Sequence, residues 1–523
     1  MRNLSEIIDI SSDTAEAIES FEKKKQEKSK YKNPIESIVN SDFTQQLHDA
    51  GKAEMERMWE VYHEAKKENG NMRKPFKINP ITVAYILKRH TRFVQLRTNN
   101  TDSNPPIYMY NEDDGIYTNN RSQIDKYMRI VESKLSRHDQ NEIYNFLQDT
   151  AEMVELTKDR YLIPVNNGVF DLRTKELKPF DPVYIFTSKV KTNYVEDAKH
   201  PVFDDKWHVE DWLNQIANDD VEVFLLLWQV IADAINGNYS RKRSIWLVGD
   251  GSNGKGTYQD LIRHLVGTEN VAGLKIDQFA GNNSGQNFNL AMLEGKTVNI
   301  GDDVQSNAYV DDSSNFNSVV TGDQVIVEHK GKSGYVVEFN LTVIQSTNGL
   351  PRIKNKTHGT YRRMLIVPFL ATFDGKEVNY DIKEKYIKDE RVLEYVLHKA
   401  INLDFEDFDI PTASKRMLED YKVSNDPVRE FKEEAFDEIM ATNELDRIPK
   451  QTAHDLFKKF CEDRNYHQMG YNNFTTQFEN LIKIEYEDKT IRWIKDGGIL
   501  SYDLLMNADH PVKNKTYKGY IKK

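Results

Sequence analysis

One glycine-rich turn, set between an apolar run and a run of helical spacing, limits what this chain can fold into: Gly249-Asp250-Gly251-Ser252-Asn253-Gly254-Lys255-Gly256-Thr257. Before it stands Ser244-Ile245-Trp246-Leu247-Val248, of strand character, and after it Tyr258-Gln259-Asp260-Leu261-Ile262-Arg263-His264-Leu265. Strand, glycine-rich loop and helix in that order are the context that a phosphate-binding loop requires. Gly249, Gly251 and Gly254 let backbone N–H groups turn toward one point without a Cβ in the way. Asn253, Gly256 and Thr257 complete the loop, the helix start adds a favourable dipole, and Lys255 carries an ammonium to the β- and γ-phosphates. The common pattern has Ser or Thr after the lysine, with a hydroxyl for Mg²⁺. Here that residue is Gly256, and Thr257 follows one position later. The alternative is a plain turn; the flanking strand and helix favour a nucleotide site.

Around this loop, residues 241–375 alternate apolar strands with helices, which predicts an α/β core with a mostly parallel sheet. A chain of 523 residues has room for three or four domains. Residues 1–75 read as a polar helical arm, whose run Glu22-Lys23-Lys24-Lys25-Gln26-Glu27-Lys28-Ser29-Lys30 is a solvated face or a nucleic-acid contact. Residues 76–240 read as mixed α/β and then helical, with an Asn166-Asn167-Gly168 hairpin turn and helices over 207–217 and 221–231. Residues 376–426 form a charged helical lid or connector, 427–510 a separate small domain, and 511–523 a basic tail. Cys461 is the lone cysteine, which excludes an internal disulfide and a Cys-rich zinc site and leaves it as buried filler. No apolar run nears the roughly 20 residues that span a bilayer, and no apolar leader follows Met1. The expectation is a soluble, cytoplasmic protein with no membrane partner. A net charge of −12 argues against uniform coating of nucleic acid and leaves room for local basic sites.

Hydrolysis of a bound triphosphate needs acids, for Mg²⁺ and for the attacking water, at the end of a strand beside the loop's own. Lys296-Thr297-Val298-Asn299-Ile300-Gly301-Asp302-Asp303 supplies them. Asp302 would hold Mg²⁺, directly or through water, and Asp303 would polarise the water, or the two exchange roles. A further strand, Leu341–Asn348, ends in Asn348, read as a hydrogen-bonding partner of the γ-phosphate or the water, or as a turn residue before Gly349. Arg362 and Arg363 precede the apolar run Met364–Phe369. One of them, Arg363 in preference, reads as a guanidinium for a neighbouring subunit's γ-phosphate; the alternative is an arginine on the surface beside a strand. Between acids and asparagine, Val325–Val337 encloses a basic tip with His329, Lys330 and Lys332. The pattern predicts a hairpin, an ordinary exposed loop on an isolated chain and a phosphate-gripping finger in a ring.

In the small domain, helices over 427–441, 451–464 and Tyr471–Ile482 precede two short strands, 484–486 and 491–494, joined by 487–490. Three helices and a β-hairpin are the winged-helix outline. Asn472, Asn473, Thr475, Thr476 and Gln477 on the third helix would meet bases or phosphates, and Lys489, Arg492 and Lys495 would serve the wing. The same fold also serves as a protein-interaction module. The tail lysines Lys513, Lys515, Lys518, Lys522 and Lys523 read as a solvated end or a phosphate contact.

The order phosphate loop, Asp302-Asp303, basic hairpin, strand ending in Asn348, then Arg362-Arg363 resembles superfamily 3 helicases, and most nearly their poxvirus and phage–plasmid primase-helicase branch. Asn167-Gly168-Val169-Phe170-Asp171-Leu172-Arg173-Thr174, Leu293-Glu294-Gly295-Lys296, Asn348-Gly349-Leu350-Pro351 and Pro368-Phe369 are similar as well. The likeness covers about 140–375, extends through the C-terminal domain and is poor over the first hundred residues. It implies an AAA+-like ATPase core, ATP with Mg²⁺, and a ring of identical subunits, a hexamer, that moves 3′ to 5′ on single-stranded and forked DNA. Sites would lie between subunits, and Lys330 would match the lysine of the pore hairpin. Phosphate loops with Gly after the lysine occur in this branch. Its members often carry a primase domain; this chain has little room for one and no Cys/His zinc cluster, so the expectation is no primer synthesis and a separate primase or replication protein as partner. The setting would be a phage, plasmid or mobile element in a bacterial cytoplasm. A competing reading is a nucleotide-gated, origin-binding initiator with little unwinding of its own; a phosphoryl-transfer enzyme is disfavoured by the lack of an acceptor site.

Overall fold

The computed structural model describes residues 38–97, 105–494 and 511–523, apart from 69, 71, 281–287, 307, 329–333, 355–357, 374–378, 465 and 467. The lysine-rich run at 22–30, the hairpin-tip residues His329, Lys330 and Lys332, and Lys495 lie outside the described residues.

The N-terminal unit packs helices α1 (Asp42–Lys67), α2 (Pro80–His90), α3 (Arg121–Val131) and α4 (Arg137–Asp149) on a sheet of β1 (Phe93–Leu96), β2 (Ile107–Asn111), β3 (Ile116–Thr118) and β4 (Glu152–Val154), in the order β3-β2-β1-β4. Ser41 caps α1 in a reciprocal capping box with Thr44. Phe43, Leu47 and Gly51 of α1 are buried, and a Cβ on Gly51 would sit 2.1 Å from the Val131 carbonyl of α3. The first half of α1 therefore belongs to this unit; the expectation of a polar arm running to residue 75 is corrected by that close helix–helix approach.

A meander follows, β5 (Leu162–Val165), β6 (Gly168–Asp171) and β7 (Glu176–Lys178), in which β5 and β6 form the expected hairpin. Helices α5 (Val209–Ile216) and α6 (Val221–Ala234) lead into the core. Its strands are β8 (Ser244–Val248), β9 (Val271–Ala272), β10 (Val298–Val304), β14 (Thr342–Thr347) and β16 (Met364–Pro368), all parallel, in the order β16-β8-β14-β10-β9. Parallel strands covered on both faces read as continuous apolar runs, and alternate residues go to opposite cores. Ile245, Leu247, Ile300, Ile344, Leu365 and Val367 pack with α6, α7 (Lys255–Val266) and α11 (Glu390–Ile401). Trp246, Val343 and Ile366 pack with Phe316 and Val319 of α8 (Ser314–Thr321) and Tyr421 of α12 (Thr412–Ser424).

Smaller elements frame this sheet. Strand β11 (Tyr309–Val310) pairs with β15 (Arg352–Ile353), and β12 (Gln324–Val327) with β13 (Tyr335–Glu338) as the stem of the expected hairpin. The stem leans on the N-terminal half: the Tyr335 hydroxyl donates to Glu294, and Asn119 Nδ2 donates to the other oxygen of Glu294 at 3.3 Å. Short helices α9 (His358–Arg363) and α10 (Tyr380–Glu384) precede β16 and α11 respectively.

The C-terminal unit runs through α13 (Pro427–Phe431, a π turn Lys432–Phe436, then Asp437–Thr442), β17 (Arg447–Pro449), α14 (Lys450–Asp463), α15 (Tyr471–Ile482), β18 (Tyr486–Arg492) and β19 (Thr516–Lys522). Phe431, Phe436, Phe457, Phe474, Phe478 and Tyr520 form its core, with Cys461 fully buried and its thiol pushed up to about 12 by that burial. Two expectations fail here. The predicted pair of short strands is one strand, β18, because its hairpin partner lies further along the chain. That partner is the predicted basic tail, which forms β19 at the centre of the sheet β17-β19-β18. Gly519 makes this possible, since a Cβ there would stand 2.3 Å from Ile491 Cδ1 and 2.6 Å from the Ile448 carbonyl.

Removing residues 511–523 is therefore expected to unfold the C-terminal unit, exposing Phe431, Phe457 and Phe478 to protease while the α/β core stays resistant. A single Phe457→Ala should cost that unit about 3–5 kcal/mol, read by denaturant unfolding.

Candidate nucleotide site

Strand register assembles the site. Val248 of β8 stands beside Thr347 of β14, and Thr347 beside Val304 of β10, so three strands finish at one edge of the sheet. The loop leaves β8 at that edge. Gly251 (φ +110°) and Gly254 (φ +85°) hold left-handed backbone, open to glycine without steric cost. A Cβ on Gly249 would come within 2.3 Å of the Phe369 carbonyl and of Asn253 Nδ2. Asn253 Nδ2 donates to the Phe369 carbonyl at 3.3 Å, which fastens the loop to the end of β16.

Lys255 opens α7 and is only 8% exposed. Its ammonium donates to the Gly249 carbonyl, to Asn253 Oδ1 at 3.2 Å and to Asn348 Oδ1 at 3.3 Å. All three lysine donors thus have acceptors around the hollow of the loop. Burial holds the Lys255 pKa below the ordinary lysine value, against the opposing pull of Asp250 and Asp302.

The acids owe their aim to an irregularity in β10. Gly301 pairs with Gln345, yet Val304 pairs with Thr347, so Asp302 and Asp303 share the space of one partner residue. Such a bulge bends the strand and re-aims side chains; Asp303 takes φ +52°, a backbone Asp tolerates better than most residues. Asp302 Oδ1 accepts from Gln259 Nε2 of α7 at 3.2 Å and from the Asp303 amide at 2.9 Å. Gly301 is needed beneath them, since a Cβ would meet the Leu274 carbonyl at 2.5 Å and the Gln345 amide at 2.6 Å. Gln345 is fully buried; its Nε2 donates to Leu274 O at 3.0 Å and its Oε1 accepts from Ile276 N at 2.9 Å.

The resulting cleft, about 290 Å³, is lined by Gly251 to Thr257, Gln259, Asp302, Asp303, Ser346, Thr347, Asn348 and Lys383. It unites Lys255, Thr257, Asp302, Asp303 and Asn348 as the sequence placed them. Asp302, Asp303 and Thr257 offer the hard oxygens that Mg²⁺ takes when phosphates and water supply the rest. Gly256 has nothing within 4 Å of where a Cβ would lie, so no steric demand accounts for the glycine there. Sequence reading missed Gln259, Gln345, Gly301 and Lys383. Gln259 stands four residues beyond Lys255 on one face of α7, a spacing that could have flagged it; Lys383 is one lysine among several in a charged stretch.

Arg362 and Arg363 do not join this cluster. They end α9 just before β16, whose Met364 pairs with Ser244 at the start of β8, a strand length of about 13 Å from the loop. Arg362 is exposed and its carbonyl accepts from Arg243; Arg363 is half-buried and donates to the Gly359 carbonyl at 2.8 Å. Lys489 and Arg492 are exposed on β18, Lys489 paired with Glu487. Arg492 and Lys518 are diagonal neighbours across β18–β19 on one face. No helix among the described residues is long and apolar enough to cross a membrane.

Three family profiles match the chain: D5 N terminal like over residues 10–217, a family of unknown function (DUF5906) over 247–363, and poxvirus D5 protein-like over 423–514. D5-like segments therefore flank the core on both sides, and the likeness reaches into the first hundred residues, where the motifs alone showed little. A protein of Acanthamoeba polyphaga mimivirus named as a candidate helicase (L207/L206) is 24% identical over 236 residues, 44% of this chain. The match spans 23% of that relative's length. Two apo structures of the NrS-1 C-terminal region align over 86% and 85% of this chain and 100% and 99% of theirs, at 10% identity and TM-scores of 0.46 and 0.43.

The lowered Lys255 pKa has a testable sign. Phosphate oxygens favour the charged ammonium, so nucleotide binding draws a proton back onto Lys255 once the free site begins to lose it. Affinity is expected to hold level near neutral pH and to fall as pH rises, beginning below the ordinary lysine pKa of 10.5. Titration with a fluorescent ATP analogue across alkaline pH would read the onset.

Proposed function

We propose that this chain, which carries D5-like segments on both sides of its phosphate-loop core, is an ATP-driven DNA helicase of the superfamily 3 kind, acting in replication of a viral or other mobile genome. The observation that carries the reading is the convergence of Lys255, Asp302, Asp303 and Asn348 on one cleft at the carboxyl ends of β8, β10 and β14. Parallel α/β sheets bind their ligands at that edge. Lys255 holds the β- and γ-phosphates of ATP, Asp303 orients the attacking water, and Asn348 senses the terminal phosphate beside it. Mg²⁺, when bound, neutralises phosphate charge; Asp302 and Thr257 are the residues that would hold it.

The position of Arg362 and Arg363 supports action between subunits. An arginine a strand length from its own loop serves catalysis by reaching a neighbour's γ-phosphate, which argues for an AAA+-like ring, a hexamer by the family resemblance. Exposure favours Arg362 for that part, and Arg363, bonded to its own helix, as its support. The C-terminal order helix, strand, helix, helix, strand, strand, with β19 between β17 and β18, supports a winged-helix unit. In it α15, Arg492 and Lys489 would face DNA, with Lys518 beside them. The basic tip holding His329, Lys330 and Lys332 would grip single-stranded DNA in the pore, moving 3′ to 5′.

Lys255→Ala is expected to abolish ATP hydrolysis with the fold retained, and wild type to displace a strand from a 3′-tailed fork with ATP and Mg²⁺. Lys330→Ala should lose that displacement. Hydrolysis without any displacement by wild type would leave an assembly switch at an origin as the function. Mixing separates the arginine's two possible modes: Lys255→Ala and Arg362→Ala subunits, each inactive alone, should regain hydrolysis together, because one mixed interface pairs an intact lysine with an intact arginine. No recovery on mixing would place the arginine's action within its own chain or nowhere.

A further inference from the structure

Helix α10 borders two cavities at once. Lys383 lines the phosphate cleft, and Tyr380 lines a neighbouring cavity of about 640 Å³ that shares Ser252, Gly254 and Thr257 with it. Residues three apart on a helix share a face, so this short helix straddles the loop. The second cavity is walled by Trp207, Trp212 and Gln215 from the segment around α5, by Phe373, and by Tyr380 itself. Its walls are tied to the loop and to each other. The Phe373 amide donates to the Ser252 carbonyl at 2.8 Å, and Asn379 Nδ2 donates to Asp205 at 2.9 Å. Trp207 packs against Phe203 and Tyr386, with ring centroids 5.7 and 5.0 Å away.

A triphosphate held with its terminal phosphate toward Asp302 and Asn348 carries its nucleoside away from them, and the aromatic cavity adjoins the cleft through Ser252, Gly254 and Thr257. Tyr380 lines that cavity yet is 77% exposed, so its ring has room to move. Lys383 stands 3.1 Å from Asp260, at the surface. We propose that α10 is a nucleotide clamp, an inference that rests on the phosphate-site reading above. Tyr380 closes over the nucleobase against the aromatic wall, and Lys383 leaves Asp260 for the phosphates. Stacking on an aromatic face accepts any base, while the Gln215 amide, which also lines the cavity, gives the base or ribose a polar partner.

Inorganic tripolyphosphate carries the phosphates without a nucleoside, so calorimetry of the full chain with ATP and with tripolyphosphate, both with Mg²⁺, separates the two parts. Tyr380→Ala is expected to weaken ATP about fivefold or more and leave tripolyphosphate unchanged, with Tyr380→Phe at the wild-type value. Lys383→Ala should weaken both ligands, by about fivefold. Lys255→Ala should lose both. The clamp is overturned if Tyr380→Ala leaves ATP binding unchanged or weakens tripolyphosphate equally, or if Lys383→Ala changes neither. Survival of both affinities in Lys255→Ala would instead sink the phosphate-site reading itself.

Discussion

Parallel pairing of β8 with β14 and of β14 with β10 sets three strand ends side by side, and each delivers one part of the site: the loop, Asn348 and the acids. Parallel strands cannot be joined by tight turns, so every connection must cross a face of the sheet. Those crossings bring α7 to one face, beside α6, which leads into β8, and α8 to the other, which buries the strands except at Asp302 and Asp303 and at the edge strand β9. The chemistry is thus anchored to the best-packed part of the chain, while the loop and α10 remain at its rim. Lys255 completes the arrangement by bonding acceptors on the loop and on the end of β14.

Much of this could be read from residues alone. The loop, its strand and its helix announce themselves because glycine positions and apolar runs are local signals. The acid pair and Asn348 were legible for the same reason: each ends an apolar run. Non-local geometry was not legible. The bulge that sets Asp302 and Asp303 against a single partner residue appears only when β10 meets β14, and the need for Gly301 appears only when Gln345 and Leu274 crowd it. The reading of the final residues as a tail failed because Thr516–Lys522 carries charge on its exposed positions, and its buried pair, Gly519 and Tyr520, is too short to signal a strand. For α1, a polar composition concealed four buried residues, Phe43, Thr44, Leu47 and Gly51, in its first turns.

Arg362 and Arg363 show a different limit. Their place in sequence beside an apolar strand was clear, but which end of that strand they occupy relative to the loop follows from the pairing of Met364 with Ser244. Within one chain the glycine-rich loop and the two arginines therefore stand at opposite ends of the paired strands β8 and β16.

Gly256 carries a consequence of its own. It lies in the first turn of α7 with open space around its Cα, and glycine within a helix costs roughly 1 kcal/mol relative to alanine. A side chain at 256 would meet nothing within 4 Å, so packing at that position does not offset the cost, whereas the later turns are fixed by Tyr258, Leu261 and Ile262. In amide hydrogen exchange this turn would open first in the free protein. A bound anion, by capturing its N–H groups, would slow it most, so that the helix start is wound by the ligand it holds.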